Sequence, residues 1–242
     1  HKLGHTASPT CVLSFGENNE CFGELIGEQH NGLKAMFTMM NNARLNVGIQ
    51  GVAIAERAYQ KALSFARERK QGFSFKKGQK ESVSIIEHPD VKRMLLEMKS
   101  QIEAMRGLAV FTAETIDYSS KLSDIEEKKE YLNLSSLLTP IVKAWCTDQS
   151  VIITSLGIQI HGGMGFIEDT GAAQYFRDSR ILPIYEGTNG IQALDLLKRK
   201  LPLEGGKTFE KLLIKIKKTA LDCKKLDELV IMGELLKKAV TD

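Results

Sequence analysis

A single carboxylate stands in the run Ile184-Tyr185-Glu186-Gly187-Thr188-Asn189-Gly190-Ile191-Gln192, just after Pro183 and at a glycine-loosened turn where a helical pattern begins. Partly shut away from water at such a turn, a carboxylate can act as a general base, because desolvation raises its pKa toward working pH while the turn aims it outward. The competing reading is a helix-start glutamate favoured by the macrodipole. A second cluster, His161-Gly162-Gly163-Met164-Gly165, frees the backbone for positive dihedrals and close approach to a ligand, and a helix C-cap followed by a loop accounts for it equally well. Its spacing is not that of a dinucleotide fingerprint and no strand precedes it, which excludes a Rossmann unit. Arg44 lies on or beside an apolar helix face, where it either contacts a ligand or joins an interhelical salt bridge.

The elements that must position these residues are mostly helical. From Asn31-Gly32, Leu33, Met36, Phe37, Met40, Val47, Ala55, Ala58, Ala62 and Phe65 recur at helical spacing and predict one long helix to about Arg69. Residues 71 to 88 lack a period and read as a loop, long for a helix connection. Pro89 then opens a second helix with Val91, Met94, Leu95, Met98, Ile102, Met105 and Ala109 inward, the methionines serving as core filler. A third helical stretch begins at Ser123-Asp124-Ile125-Glu126, is interrupted at Thr139-Pro140, and resumes with Ile141, Ala144, Trp145, Ile152 and Leu156. Shorter helices are expected from Asp169 to about Ser179 and from about Thr188 to Leu201, before a lysine-rich amphipathic tail that follows Gly205-Gly206. The only strand-like text is residues 1 to 28, with Cys11 to Phe15 and Cys21 to Gly27 around a turn. Two short strands cannot hide an apolar face alone, so this segment needs sheet that the chain does not contain. The pattern predicts an all-α, up-down four-helix bundle with a short N-terminal β remnant and a C-terminal helical extension.

Composition narrows the class of partner. With 33 basic and 30 acidic residues the formal charge is +3, which points globally to neither nucleic acid nor membrane. The tail beyond Lys198 is locally basic, either an anion-binding face or a solvated helix surface. Cys11, Cys21, Cys146 and Cys223 lie far apart without metal-type spacing, so free thiols in a reducing compartment, cytoplasmic or mitochondrial matrix, and no metal are expected. Apolar runs are too short to span a bilayer.

Gln159-Ile160-His161-Gly162-Gly163-Met164-Gly165-Phe166, then Arg177-Asp178, then Ile184-Tyr185-Glu186-Gly187-Thr188 closely resemble the C-terminal signature of the acyl-CoA dehydrogenase family of flavoenzymes. Ala43-Arg44 with Gly48 and Gly51, and the Ala66 to Gln71 helix end, are similar to that family's first C-terminal helix, and Lys2-Leu3-Gly4 with Ala7-Ser8 to the end of its middle β-domain. The loop at 71 to 88 and the tail beyond 201 resemble the branch that includes 3-methylthiopropionyl-CoA dehydrogenase. The resemblance implies three segments: residues 1–28 as the end of the middle β-domain, 29–201 as the helical bundle and 202–242 as an extension. It implies FAD as cofactor and an acyl-CoA thioester as substrate, with Glu186 as the base that takes the α-proton while a hydride leaves the β-carbon. Arg44, Tyr185 and Gly187 are implied at the substrate, with Arg69, Phe73, Gln159, Ile160, His161, Gly162, Gly163, Thr188 and Asn189 at FAD, some of them across a subunit boundary. A homodimer or homotetramer and an electron-transfer flavoprotein as acceptor follow from the same resemblance.

Alone, the chain is expected to be a piece of a longer protein, with weak FAD binding and little or no activity. Two other functions fit the sequence: a DNA-associated flavoprotein of the same superfamily using the basic tail, and a helical assembly module without catalysis.

Overall fold

The computed structural model of the protein describes residues 1–74 and 81–241, apart from the side chain of Thr38. Helix makes up 74% of it, which places the chain in the expected all-α class. It divides into two compact units, residues 1–109 with 142–189, and residues 110–141 with 190–242.

The first unit is organised around α1 (Gly32–Glu68), which ends where Arg69 turns to extended backbone. Strands β1 (Lys70–Phe73) and β2 (Ser82–Ser84) pair antiparallel, Lys70 opposite Ser84, so part of the expected loop at 71 to 88 is a hairpin. Residues 75–80 of that loop lie outside the described residues. Helix α2 (Pro89–Lys121) starts with proline at its first position, where the missing N–H costs nothing. Helix α3 (Ile125–His161) is continuous, and α4 (Gly163–Phe166) and α5 (Ala172–Ser179) follow. The α1 stripe is buried from Val47 onward, at Val47, Ala55, Ala58 and Ala62, while Leu33, Met36 and Phe37 are exposed. On α2, Met94, Leu95, Met98, Ile102, Met105 and Ala109 are buried as the spacing predicts.

Two glycines set how near α1 lies to α3. A Cβ on Gly48 would fall 2.6 Å from a Val142 methyl, and one on Gly51 would fall 2.7 Å from the Cys146 carbonyl oxygen. Backbones this close leave no room for side chains between them. The crossing therefore carries the polar groups of both helices into one small region.

The proline expected to interrupt α3 does not. Pro140 sits inside the helix and is itself buried, as are Leu137, Leu138 and Thr139 just before it. Burial of that turn offsets the roughly 3 kcal/mol that an interior proline costs. The inward stripe of α3 also differs from the expected one: Val142, Cys146 and Ile153 are buried, whereas Ile152 is exposed. The shift follows from the Gly48–Val142 and Gly51–Cys146 contacts, which fix the side of α3 that α1 covers.

The N-terminal β remnant is the second difference. No strand forms within residues 1–28 among the described residues, and Val12, Phe15, Phe22 and Ile26 are exposed. A strand needs a neighbour to pair its amides and cover its apolar face, and the described residues supply none there. Only the first residues dock: the His5 N–H donates to Asp178 Oδ1 at 2.7 Å, and a Cβ on Gly4 would fall 2.4 Å from that same oxygen.

In the second unit, α6 (Asn189–Asp195) passes into a wide π-type turn over Leu196–Lys200. The tail forms two helices rather than one segment, α7 (Lys207–Cys223) and α8 (Val230–Thr241), joined where a Cβ on Gly233 would meet the Ala220 carbonyl at 2.7 Å. Four of its lysines are engaged within the chain. Lys211 pairs with Glu130, Lys224 with Glu234 at 3.4 Å and Lys225 with Asp222 at 2.7 Å, while the Lys215 ammonium lies 4.9 Å above the Phe111 ring. Among the described residues no helix is long and apolar enough to cross a membrane.

Candidate active site

Glu186 is half-buried, and its backbone takes φ 55, in the left-handed region that L side chains rarely adopt. Gly187 follows at φ 89. Two consecutive left-handed residues make a sharp reversal, closed when the Asn189 N–H donates to the Pro183 carbonyl at 3.1 Å. The reversal presents the carboxylate of Glu186 at the apex of a five-residue loop.

Neighbouring helices hold this loop from two sides. From α1, buried Arg44 donates through Nε to the Glu186 carbonyl at 3.4 Å, and Gln50 accepts a hydrogen bond from the Tyr185 hydroxyl. Burial, with the Glu186 charge beside it, raises the Tyr185 pKa, so the phenol stays a donor. From α3, the Asn189 amide is fully engaged: Nδ2 donates to the Ala144 carbonyl at 3.1 Å, Thr147 Oγ1 at 3.0 Å and Asp148 Oδ1 at 2.7 Å, and Oδ1 accepts from Lys143 Nζ at 2.8 Å. Asn189, expected to face a cofactor, thus spends its side chain inside the protein, because α3 presents four polar partners within reach of it. Of the residues expected at this place, Arg44, Tyr185, Glu186, Gly187, Thr188 and Asn189 come together, with Thr188 on the exposed side.

Sequence reasoning missed Lys143. Its side chain is wholly buried, and its pKa is lowered from 10.5 to about 8, chiefly by that burial and also by Arg44, against the opposing pull of Asp148 and Glu186. One signal was available. Ser135, Thr139, Lys143, Thr147, Ser150 and Thr154 recur along α3 at spacings of three and four and are all buried. A polar stripe on the inner face of a helix is a request for partners.

A second site lies at the ends of α1 and α3. A cleft of about 340 Å³ is lined by Phe65, Arg69, Gln71, Ile160, His161, Gly162, Gly163 and Met164 among its residues. Gln159, Ile160 and His161 belong to the last turn of α3 rather than to a loop, and Gly162, at φ 59 and ψ −138, turns the chain. His161 is buried: its Nδ1–H donates to the Gly157 carbonyl at 2.7 Å, its ring stacks on Phe65 at 4.5 Å, and burial lowers its pKa. It is therefore a neutral donor with its second nitrogen left to accept. Phe73 stands exposed on β1 and is not among the residues lining the cleft. Among the described residues no group of three or more His, Cys, Asp or Glu could hold a metal ion.

Residues 30–201, which contain both sites, match the family model described as acyl-CoA dehydrogenase, C-terminal domain. The chain belongs to the acyl-CoA dehydrogenase family. It is 51% identical over 208 residues to the 3-methylmercaptopropionyl-CoA dehydrogenase of Ruegeria pomeroyi, covering 86% of this chain and 35% of that one. It is 38% identical over 221 residues to a butyryl-CoA dehydrogenase of Syntrophomonas wolfei, covering 89% of this chain and 36% of that one. The chain thus spans about a third of the length of these relatives. Among solved structures, butyryl-CoA dehydrogenase from Megasphaera elsdenii aligns with a TM-score of 0.56 and 26% identity, covering 70% of this chain and 39% of that one.

Proposed function

We propose that the chain is the C-terminal portion of an FAD-dependent acyl-CoA dehydrogenase in which Glu186 removes the α-proton of an acyl-CoA thioester. The observation that carries this reading is the Glu186 turn: a half-buried carboxylate on left-handed backbone, held between α1 and α3 by Arg44, Tyr185 and Asn189. Strain of this kind persists where surrounding contacts over-determine it, and it clusters where a side chain must be aimed. In the proposed division, residues 1–28 close a middle β-domain, 29–201 form the bundle and 202–242 extend it.

The α-proton of a thioester is weakly acidic, so its removal needs a fixed base and a polarised carbonyl. Glu186 supplies the base, and its backbone N–H is the group proposed to polarise the thioester oxygen. Tyr185 and Gly187 shape the loop against the substrate, and Arg44 holds the loop by its carbonyl. Bound FAD supplies the acceptor for the hydride that leaves the β-carbon.

The cleft at Arg69 and Gly162 fits that cofactor's diphosphate. Arg69 brings a guanidinium to it, and a Cβ on either Gly162 or Gly163 would meet nothing within 4 Å, which leaves room for phosphate oxygens to approach the backbone. Ile160 and His161 line the same cleft and Gln159 precedes them on α3; Gln159 and the exposed Thr188 are further proposed cofactor contacts, and Phe73 is the aromatic proposed for the adenine end. Acyl-CoA, an electron-transfer flavoprotein and further copies of the chain in a dimer or tetramer are the proposed partners, in a cytoplasmic or matrix compartment. The name of the 51% identical relative makes 3-methylmercaptopropionyl-CoA the first thioester to assay.

The test is Glu186→Gln in the flavin-loaded protein. Exchange of the substrate α-proton with deuterated solvent is expected to fall by roughly 10²–10⁴-fold, with the flavin absorbance retained. Exchange at the wild-type rate would remove Glu186 from the base role.

A further inference from the structure

The Glu186 loop has two attachments, and the one on α3 leads to a charge that the proposed reaction does not use. Most hydroxyls in the buried stripe of α3 bond back to carbonyls of their own helix, as Thr139 does to Ser135 and Ser150 to Thr147, both at 2.7 Å. Lys143 is the charged member of that stripe. Its ammonium reaches off the helix to Asn189 Oδ1 at 2.8 Å, and Asn189 in turn closes the loop through its backbone bond to Pro183. Leaving an ammonium in a buried place is costly unless it is paired, and a buried charge is weak ground for stability as such.

We propose that Lys143 is a positioning residue for Glu186: by fixing the Asn189 carbonyl oxygen it orients the amide whose other bonds pin the loop to α3. This deepens the reading of Glu186 as the base and rests on it. The amide of asparagine can be flipped end for end at little cost in shape, and only the orientation that sends Nδ2 to Ala144, Thr147 and Asp148 keeps all these bonds. Two kinds of partner set that orientation: the Ala144 carbonyl and the Asp148 carboxylate, which only accept, draw Nδ2, and the Lys143 ammonium, which only donates, holds Oδ1. Thr147 cannot select it, since a hydroxyl both donates and accepts, and its Oγ1 lies 3.0 Å from Nδ2 and 3.4 Å from Oδ1. With the amide locked, Asn189 holds the α3 end of the loop while Arg44 and Gln50 hold the α1 end. The carboxylate of Glu186 is then aimed by both helices rather than by one.

The test compares Lys143→Met, which keeps length and loses the donor, with Lys143→Gln, which keeps an N–H donor, in the flavin-loaded protein. Amide hydrogen exchange is read on a peptide covering 183–189 and on a control peptide within 52–62 of α1. Lys143→Met is expected to speed exchange of the loop about tenfold with the control unchanged, and to lower kcat by roughly 10- to 100-fold at constant KM. Lys143→Gln is expected to restore most of both. Where Lys143→Met does not fold, Asn189→Ala carries the test, with the same expected opening of the loop. Loop exchange within twofold of wild type in the folded variants, or a loss of protection shared equally by loop and control, would overturn the positioning role. Failure of the underlying reading is separate: Glu186→Gln would then keep α-proton exchange, while the effect of Lys143→Met on loop exchange would still be seen.

Discussion

The two turns proposed to carry chemistry are built in opposite ways. At Gly162 the backbone takes φ 59 and ψ −138 with a residue that has no Cβ, and open space surrounds the place where one would be. At Glu186 the backbone takes φ 55 with a full side chain, and Arg44, Gln50 and Asn189 grip the loop. The first turn needs only to get out of a ligand's way, so glycine suffices. The second needs one particular side chain at the apex, and the surrounding helices hold the strained geometry that glycine would have adopted freely. A backbone strained at one turn and relaxed at the other marks where side-chain identity matters.

The largest expected effect on this contrast comes from the crossing beneath the second turn. Gly51→Ala would gain about 1 kcal/mol of helix propensity, but its Cβ would fall 2.7 Å from the Cys146 carbonyl, a backbone atom that cannot rotate away. Overpacking of this kind costs about 1–3 kcal/mol, so a net loss of stability is expected in urea unfolding, with the Glu186 loop exchanging faster and the Gly162 turn unchanged. Gly107→Ala on α2 is the matched control: nothing lies within 4 Å of the added Cβ, and a gain of about 0.5–1 kcal/mol is expected. Equal effects at the two positions would mean that the close crossing does not constrain the loop.

Next comes the strain itself. A left-handed L residue costs about 1–2 kcal/mol, and glycine returns about 0.5–1 kcal/mol of that through its freer unfolded chain. Glu186→Gly is therefore expected to raise the melting temperature by up to about 2–4 °C while abolishing α-proton removal. A lowered melting temperature would show the turn to be unstrained.

How much of this was legible depended on whether the cause was local. Glycine and proline announced the ends of α1 and the start of α2, because caps act within a few residues. The Glu186 turn and the Gly162 turn stood out for the same reason. Pro140 misled, since burial of the turn around it outweighs one missing hydrogen bond, and burial is not written beside the proline. Strand text at Cys11–Phe15 and Cys21–Gly27 needed a partner sheet before it could become strand. Lys143 was marked only by the three-and-four spacing of its polar stripe, and its partner was hidden because nothing in its neighbours Val142 and Ala144 says that Asn189, far along the chain, would fold back to it. Asn189 was assigned to the cofactor by resemblance, and only the geometry shows its amide turned toward α3.

A pH dependence is also expected at that hidden site. The Lys143 pKa is lowered to about 8 from its ordinary 10.5, chiefly by burial, with Arg44, Asp148 and Glu186 as the charges that face it. Between those two pH values the unfolded chain holds a proton that the folded protein has released. Unfolding then takes up a proton, so folded stability rises as pH climbs through that window and is lowest below it. Relative to Lys143→Met, the wild-type urea midpoint is expected to climb between about pH 7.5 and about pH 10, and parallel profiles would show that Lys143 titrates normally.

The account stands most directly on where a substrate's α-carbon sits. A crystal structure of the flavin-loaded protein carrying this chain, with a non-reactive acyl-CoA analogue bound, should place that carbon within roughly 3.2 Å of a Glu186 carboxylate oxygen, with Arg44 and Asn189 still on the loop. An α-carbon beyond reach of Glu186 and against another carboxylate would contradict it.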